Sequence, residues 1–179
     1  CGVGMIADLT GVSSHATVAD AVEVLERMDH RGANGADPQS GDGAGLLLKM
    51  PHDFFVSVFG DVVPPNGDYA IGMWMVPQGP DEESVLSSIS TLSDSFGLPT
   101  LGWRRVPVDS SILGEASSAS EPAFWQQLII TSKVSQPDNV LFAARKVIEH
   151  QLPVYASSLS RTVVVYKGML NSLQLRPYF

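Results

Sequence analysis

Cysteine is nearly absent from this sequence: the one thiol among 179 residues is Cys1. A single cysteine makes no internal disulfide, so nothing argues for an oxidising compartment. Basic residues are also sparse, 11 Lys and Arg against 19 Asp and Glu, for a formal net charge of -8. A surface of that sign repels phosphate backbones, which argues against a nucleic-acid partner. No apolar run reaches the ~18 residues of a membrane span, and no secretory signal is visible. His15, His30, His52 and His150 are scattered, with no paired spacing and no second cysteine, so no metal site is expected. Neither GxxxxGK[ST] nor GxGxxG occurs, which leaves no phosphate cradle.

What is present reads as a globular chain. Hydrophobic residues make up 44% and charged residues 17%, enough apolar surface to bury a core. No internal repeat, linker or domain boundary is visible, so residues 1–179 are expected to form one domain. Helices and strands alternate. "CGVGMIADL" reads as a buried strand starting at the terminus. "TVADAVEVLERMDH" places Val18, Ala21, Val22, Leu25 and Met28 on one helical stripe, with Thr17 as its cap, and should stop near Gly32. "LLLKM", "YAIGMWMV", "TLGWRRVPVD" and "FWQQLIITS" read as strands. "PHDFFVSVF", "DEESVLSSISTLSDSF" and "DNVLFAARKVIEHQL" read as helices, and "SSILGEASSASEP" as a loop. "VYASSL" and "RTVVVYKG" read as two late strands, compatible with a hairpin. Pattern alone places the chain among α+β or α/β folds.

The position of the thiol is informative. A thiol beside a free α-amine is a nucleophile with its own base, because their unperturbed pKa values are roughly 8.5 and 7.7–8. The amine takes the proton and the thiolate attacks a carbonyl, giving an acyl-enzyme. A processing boundary with an incidental cysteine is the plain alternative. A lipoprotein cysteine would be followed by a polar tether, whereas "GVGMIA" is apolar.

The loop "HRGANGADPQSGDGAG" is the second informative segment. Arg31 follows a helix and can lean back toward Cys1 to bind a carboxylate, or simply neutralise the helix end. Gly32 lets the backbone approach a substrate. Asp37 and Asp42 suit turn amides.

Four segments carry a family resemblance: "CGVGMIA", "VLERMDHRGANGADPQSGDGAGLLLKMPHDFF", "LGWRRVPVD" and "SSLSRTVVVYKGML". In order and spacing they resemble the N-terminal class II glutamine amidotransferase domain of glutamate synthases, an N-terminal-nucleophile hydrolase. The resemblance covers essentially the whole chain. It implies an α+β fold of the αββα four-layer sandwich type, with Cys1 as the catalytic nucleophile. The family's "HRGA" loop maps onto His30, Arg31, Gly32 and Ala33, so Arg31 and Gly32 are the expected substrate-binding residues. Asn34 stands where many relatives have Cys, and Met5 where they have an aromatic. Arg161 sits one position early in the late-strand motif and, if the register holds, faces the opposite side; no role is carried over to it.

The resemblance further implies L-glutamine as substrate, hydrolysed to glutamate and ammonia, and a synthase domain of the same polypeptide as partner. FMN and an iron–sulfur cluster are implied for that remainder, with no cofactor in these 179 residues. A cytoplasmic protein, or a plastid one in a plant or alga, is expected. The family domain is about twice this length, and its oxyanion-hole and amine-binding residues are expected beyond Phe179. The chain is therefore read as roughly the first half of the domain, at most feebly active alone. A class II module coupled to another acceptor, or one that has lost catalysis, is the alternative.

Overall fold

The computed structural model describes residues 2–33 and 37–179. The chain forms two compact units interleaved in sequence. One comprises residues 1–48, 107–121 and 166–179, and the other 49–106 and 122–165.

The second unit is built on a four-stranded antiparallel sheet, in the order β3 (Thr100–Arg105), β4 (Ala123–Ile130), β2 (Tyr69–Val76), β5 (Tyr155–Ser160). Central β2 is almost wholly buried, which fits its unbroken apolar sequence. In the β2–β4 register Trp74 stands opposite Trp125 and Ala70 opposite Ile129. That face receives α3 (Glu82–Ser95) and α5 (Pro137–Gln151). Leu86, Ile89 and Ile148 pack against Trp74, Val76 and Ala156, and Leu141 and Ala144 against Ala70, Leu98 and Ile129. The buried positions are Leu86, Ile89 and Ser93 on α3 and Leu141, Ala144 and Ile148 on α5. α2 (His52–Phe59) meets the opposite face: His52 Nδ1 lies 3.1 Å from Tyr69 Oη, and Arg104 covers the Phe54 ring at 5.5 Å.

Among the polar groups buried in this unit, Gln127 is fully satisfied. Gln127, 0% exposed, accepts from Trp74 Nε1 at 2.9 Å and donates to Thr100 Oγ1 at 2.7 Å and Ser93 Oγ at 3.1 Å. It ties two strands to the end of α3. Such a network specifies one register, since any slip leaves buried donors unmet.

The other unit holds α1 (His15–Arg27), 3₁₀ turns over Asp29–Arg31 and Ser110–Ile112, β1 (Ala44–Lys49) except its last residue, α4 (Glu115–Ala119), the end of β6 (Val163–Gly168) and α6 (Leu175–Tyr178). β1 and β6 pair as a two-stranded sheet.

Four expectations are corrected. Residues 2–14 form no strand; a strand exists only by pairing, and this segment pairs with none of the described strands. Its alternation survives in another form. Gly2 and Gly4 face α1, while Val3 and Met5 are 95% and 90% exposed. The cap of α1 is Ser14, whose Oγ accepts from Thr17 N at 3.2 Å, so the helix begins two residues before Thr17. The segment expected as a loop contains α4, which starts after Gly114 and is held by buried Ser117, whose Oγ donates to Met169 O at 2.8 Å.

The fourth correction concerns β5 and β6, which lie in different sheets and form no hairpin. Serine hydroxyls take the place of the ladder: Val165 N donates to Ser158 Oγ at 3.1 Å, and Ser157 Oγ donates to Val165 O at 2.7 Å. Arg161 stands in the turn between these strands, not on a strand face, and donates to Gly67 O through Nε at 3.1 Å and Nη2 at 2.6 Å.

Candidate functional site

Three segments of the first unit meet around the "HRGA" loop. The N-terminal segment lies along the end of α1. A methyl group on Gly2 would sit 3.1 Å from Met28 Sδ and 3.3 Å from Arg31 Cβ; one on Gly4 would overlap Val24, at 2.4 Å from its Cγ1. Glycine at both positions lets the backbone approach the helix this closely. Cys1 itself lies outside the described residues, as do 34–36. Arg31 and the residue that follows Cys1 are nevertheless brought together.

Arg31 is fixed through its backbone. Its N–H donates to Met28 O at 2.8 Å and that of Gly32 to Asp29 O at 3.0 Å, which closes the 3₁₀ turn. The Arg31 side chain is exposed. Gly32 has an extended backbone at φ -83°. A methyl group there would meet only Asp29 O at 3.4 Å and Asp42 Oδ1 at 3.9 Å. No steric demand from the described chain explains this glycine.

The return limb of the loop is held from two sides. Asp42 N donates to Ala33 O at 3.1 Å. Asp37 accepts from Gln39 N at 2.9 Å and Ser40 Oγ at 2.8 Å. These bonds, the Gln39 amide foremost, hold the Asp37 carboxyl below the usual carboxylate range. Asp37 therefore closes a turn, as its sequence position suggested. Ser40 Oγ also accepts from Ser117 N at 3.2 Å. Gly41 is demanded sterically: a methyl group would fall 2.2 Å from both Asn171 N and Leu170 C.

The segment from Leu170 onward supplies the remaining contacts. Buried Gln174 donates through Nε2 to Gln39 O and to Ile112 O, each at 2.8 Å, and its Oε1 accepts from Asn171 N at 2.9 Å. Ser172 Oγ donates to Asp29 Oδ1. Sequence reasoning missed Asp29, Ser40, Gly41, Ser172 and Gln174. Only Gly41 carried a signal, inside the "GDGAG" run.

Among the described residues no group of three His, Cys, Asp or Glu side chains comes together as a metal site would require. No described helix is long and apolar enough to cross a membrane.

The arrangement is thus a cation and a glycine on a braced turn beside the chain's first residues. Known proteins resemble it in sequence. The family profile described as "Glutamine amidotransferases class-II" matches residues 1–179. The chain is 35% identical over 196 residues to "Glutamate synthase [NADH]" of Schizosaccharomyces pombe. It is 35% identical over 191 residues to "Glutamate synthase [NADPH] large chain" of Bacillus subtilis, and 35% identical over 193 residues to "Ferredoxin-dependent glutamate synthase 1, chloroplastic/mitochondrial" of Arabidopsis thaliana. Each match covers 100% of this chain but only 9% of the yeast protein and 12% of the other two. Matched by the family profile over its whole length, and mixed helix and antiparallel sheet in structure, the chain belongs to the class II glutamine amidotransferases, whose fold is that of the N-terminal-nucleophile hydrolases.

Proposed function

We propose that this chain carries the glutaminase half-reaction of a glutamate synthase. The single observation behind this reading is the approach of Gly2 to Arg31, at 3.3 Å from a methyl position to Arg31 Cβ. Cys1 lies one residue, about 3.8 Å of chain, from Gly2. A nucleophile there stands within reach of a guanidinium that can pair with the substrate carboxylate. Gly32, having no side chain, admits a substrate close to the main chain.

The chemistry follows from those groups. The α-amine of Cys1 takes the thiol proton, and sulfur attacks the side-chain amide carbon of L-glutamine. The tetrahedral intermediate collapses as the amine returns the proton to nitrogen, and ammonia leaves. Water, deprotonated by the same amine, attacks the thioester, releasing glutamate and regenerating Cys1. Arg31 orients the substrate and Gly32 makes room for it. Ammonia passes to a synthase domain of the same polypeptide, as the much greater length of the relatives supports.

The FMN and iron–sulfur cluster implied by the resemblance do not fit these residues. Clusters are held by several thiolates, and the chain has one cysteine. The described residues and the sequence offer no Gly-rich phosphate loop of known spacing.

The decisive experiment is Cys1→Ala in the full-length protein. Glutamine-dependent synthesis should vanish while any ammonia-dependent synthesis continues, because the nucleophile serves only amide cleavage. Glutaminase turnover above background in the variant would overturn the reading.

A further inference from the structure

We propose that the segment Asn171–Arg176 is a positioning element for glutamine, a clamp that holds both flanks of the loop bearing Arg31 and Gly32. The inference rests on the glutaminase reading above. It concerns residues for which that reading has no role.

The segment grips the loop and its helix at three places. On the entry side Ser172 Oγ donates to the Asp29 carboxylate, two residues before Arg31. On the return side Gln174 Nε2 holds Gln39 O at 2.8 Å. Behind them Arg176 donates to Ala19 O at 3.4 Å and lies 3.9 Å from Glu26, both on α1. Asn171 stiffens the clamp from within, its Oδ1 accepting from the amides of Leu173 and Gln174, each at 3.1 Å.

The loop needs such restraint. Between Asp29 and Gly43 the sequence holds four glycines, Gly32, Gly35, Gly41 and Gly43, residues that lose the most freedom on ordering. A turn fixed at both ends presents Arg31 in one orientation. A turn released at one end makes the substrate contribute that ordering on binding, which raises KM. Asp29 is exposed and Ser172 half-buried, and their hydrogen bond lies at the surface, so it contributes little to global stability. A purely structural role would leave catalysis unmoved when it is removed.

The test uses the full-length protein. Ser172→Ala should raise the KM for glutamine about fivefold, the fold-change of roughly one net hydrogen bond. It should leave kcat and the rate of Cys1 alkylation by iodoacetamide unchanged, since neither passes through Arg31. Ser172→Thr, which keeps the hydroxyl, should restore the KM. Asp29→Ala should match Ser172→Ala, and the double variant should be no worse than either alone. An unmoved KM in Ser172→Ala, or fully additive effects in the double variant, would overturn the clamp. Cys1→Ala and Arg31→Ala run alongside. Glutamine turnover surviving in both would overturn the glutaminase reading and the clamp with it. Turnover lost in both, beside an unmoved KM in Ser172→Ala, would overturn the clamp alone.

Discussion

Tyr178 donates its hydroxyl to a carboxylate oxygen of Glu121 at 2.6 Å, across 57 residues of chain. The phenol is buried, and Glu121 also accepts from Ser110 Oγ at 2.8 Å. Burial, then the hydrogen bond to Glu121 and its charge, push the Tyr178 pKa well above that of a free phenol.

This pair makes stability fall at alkaline pH. The folded chain keeps the Tyr178 proton to higher pH than the unfolded chain, where a tyrosine titrates near ~10. Its contribution is therefore whole below pH ~10 and is lost progressively above it. Denaturant melts at pH 9 and pH 11 should show the loss, and Tyr178→Phe should flatten it. An equal slope in the phenylalanine variant would assign the effect to other groups.

Gly41→Ala should destabilise the first unit. The added methyl meets backbone atoms of Leu170 and Asn171, which cannot swing aside as a side-chain tip would. Overpacking of this kind typically costs about 1–3 kcal/mol. Thermal unfolding should drop by several degrees, with local loss of amide protection at 170–174 in hydrogen exchange. Unchanged protection there would mean that the loop and the 170–171 backbone are not in contact.

Gln127→Met retains much of the side-chain volume and removes three hydrogen bonds. Trp74 Nε1 loses its acceptor inside the core, while Ser93 and Thr100 lose a shared donor. An unmet buried group costs about 1–3 kcal/mol. The expected outcome is a lower denaturation midpoint with an unchanged m-value, and an altered Trp74 fluorescence spectrum. A stability equal to wild type would show that the network is dispensable for folding.

One extra residue retained ahead of Cys1 should abolish the proposed reaction while leaving the thiol in place. Acylation turns the amine into an amide nitrogen, which takes up no proton. General-base catalysis is typically worth about 10²–10⁴ in rate, so the glutaminase rate should fall at least a hundredfold. Wild-type turnover in the extended form would assign the base to another group.

Much of the secondary structure was legible because periodicity reports burial. The helices α3 and α5 and the apolar strand β2 stand where their sequences placed them. The misses have physical causes. Ser14 and Thr17 both carry hydroxyls that can cap, and only the backbone decides which one does. "VYASSL" and "RTVVVYKG" are separated like the arms of a hairpin, but serine side chains satisfy backbone groups that a ladder would otherwise pair. The first residues alternate like a strand but pair with none of the described strands. At the candidate site, Arg31 and Gly32 were singled out from the loop's own chemistry and again by family resemblance. Their supports were not, because Asp29 and Ser172 stand 143 residues apart and a lone hydroxyl carries no local signature.

The same separation sets a clock on synthesis. Gln39 emerges 135 residues before Gln174, the side chain that fastens it. At about 5–20 residues per second, translation leaves roughly 7–27 s between the two. Throughout that interval the nascent loop has none of its 170–176 fastenings, so chaperones and proteases meet it unlatched. Ribosome-stalled chains ending before Leu170 should be cut between residues 29 and 43 by a nonspecific protease, and chains extended past Phe179 far enough to clear the exit tunnel should resist.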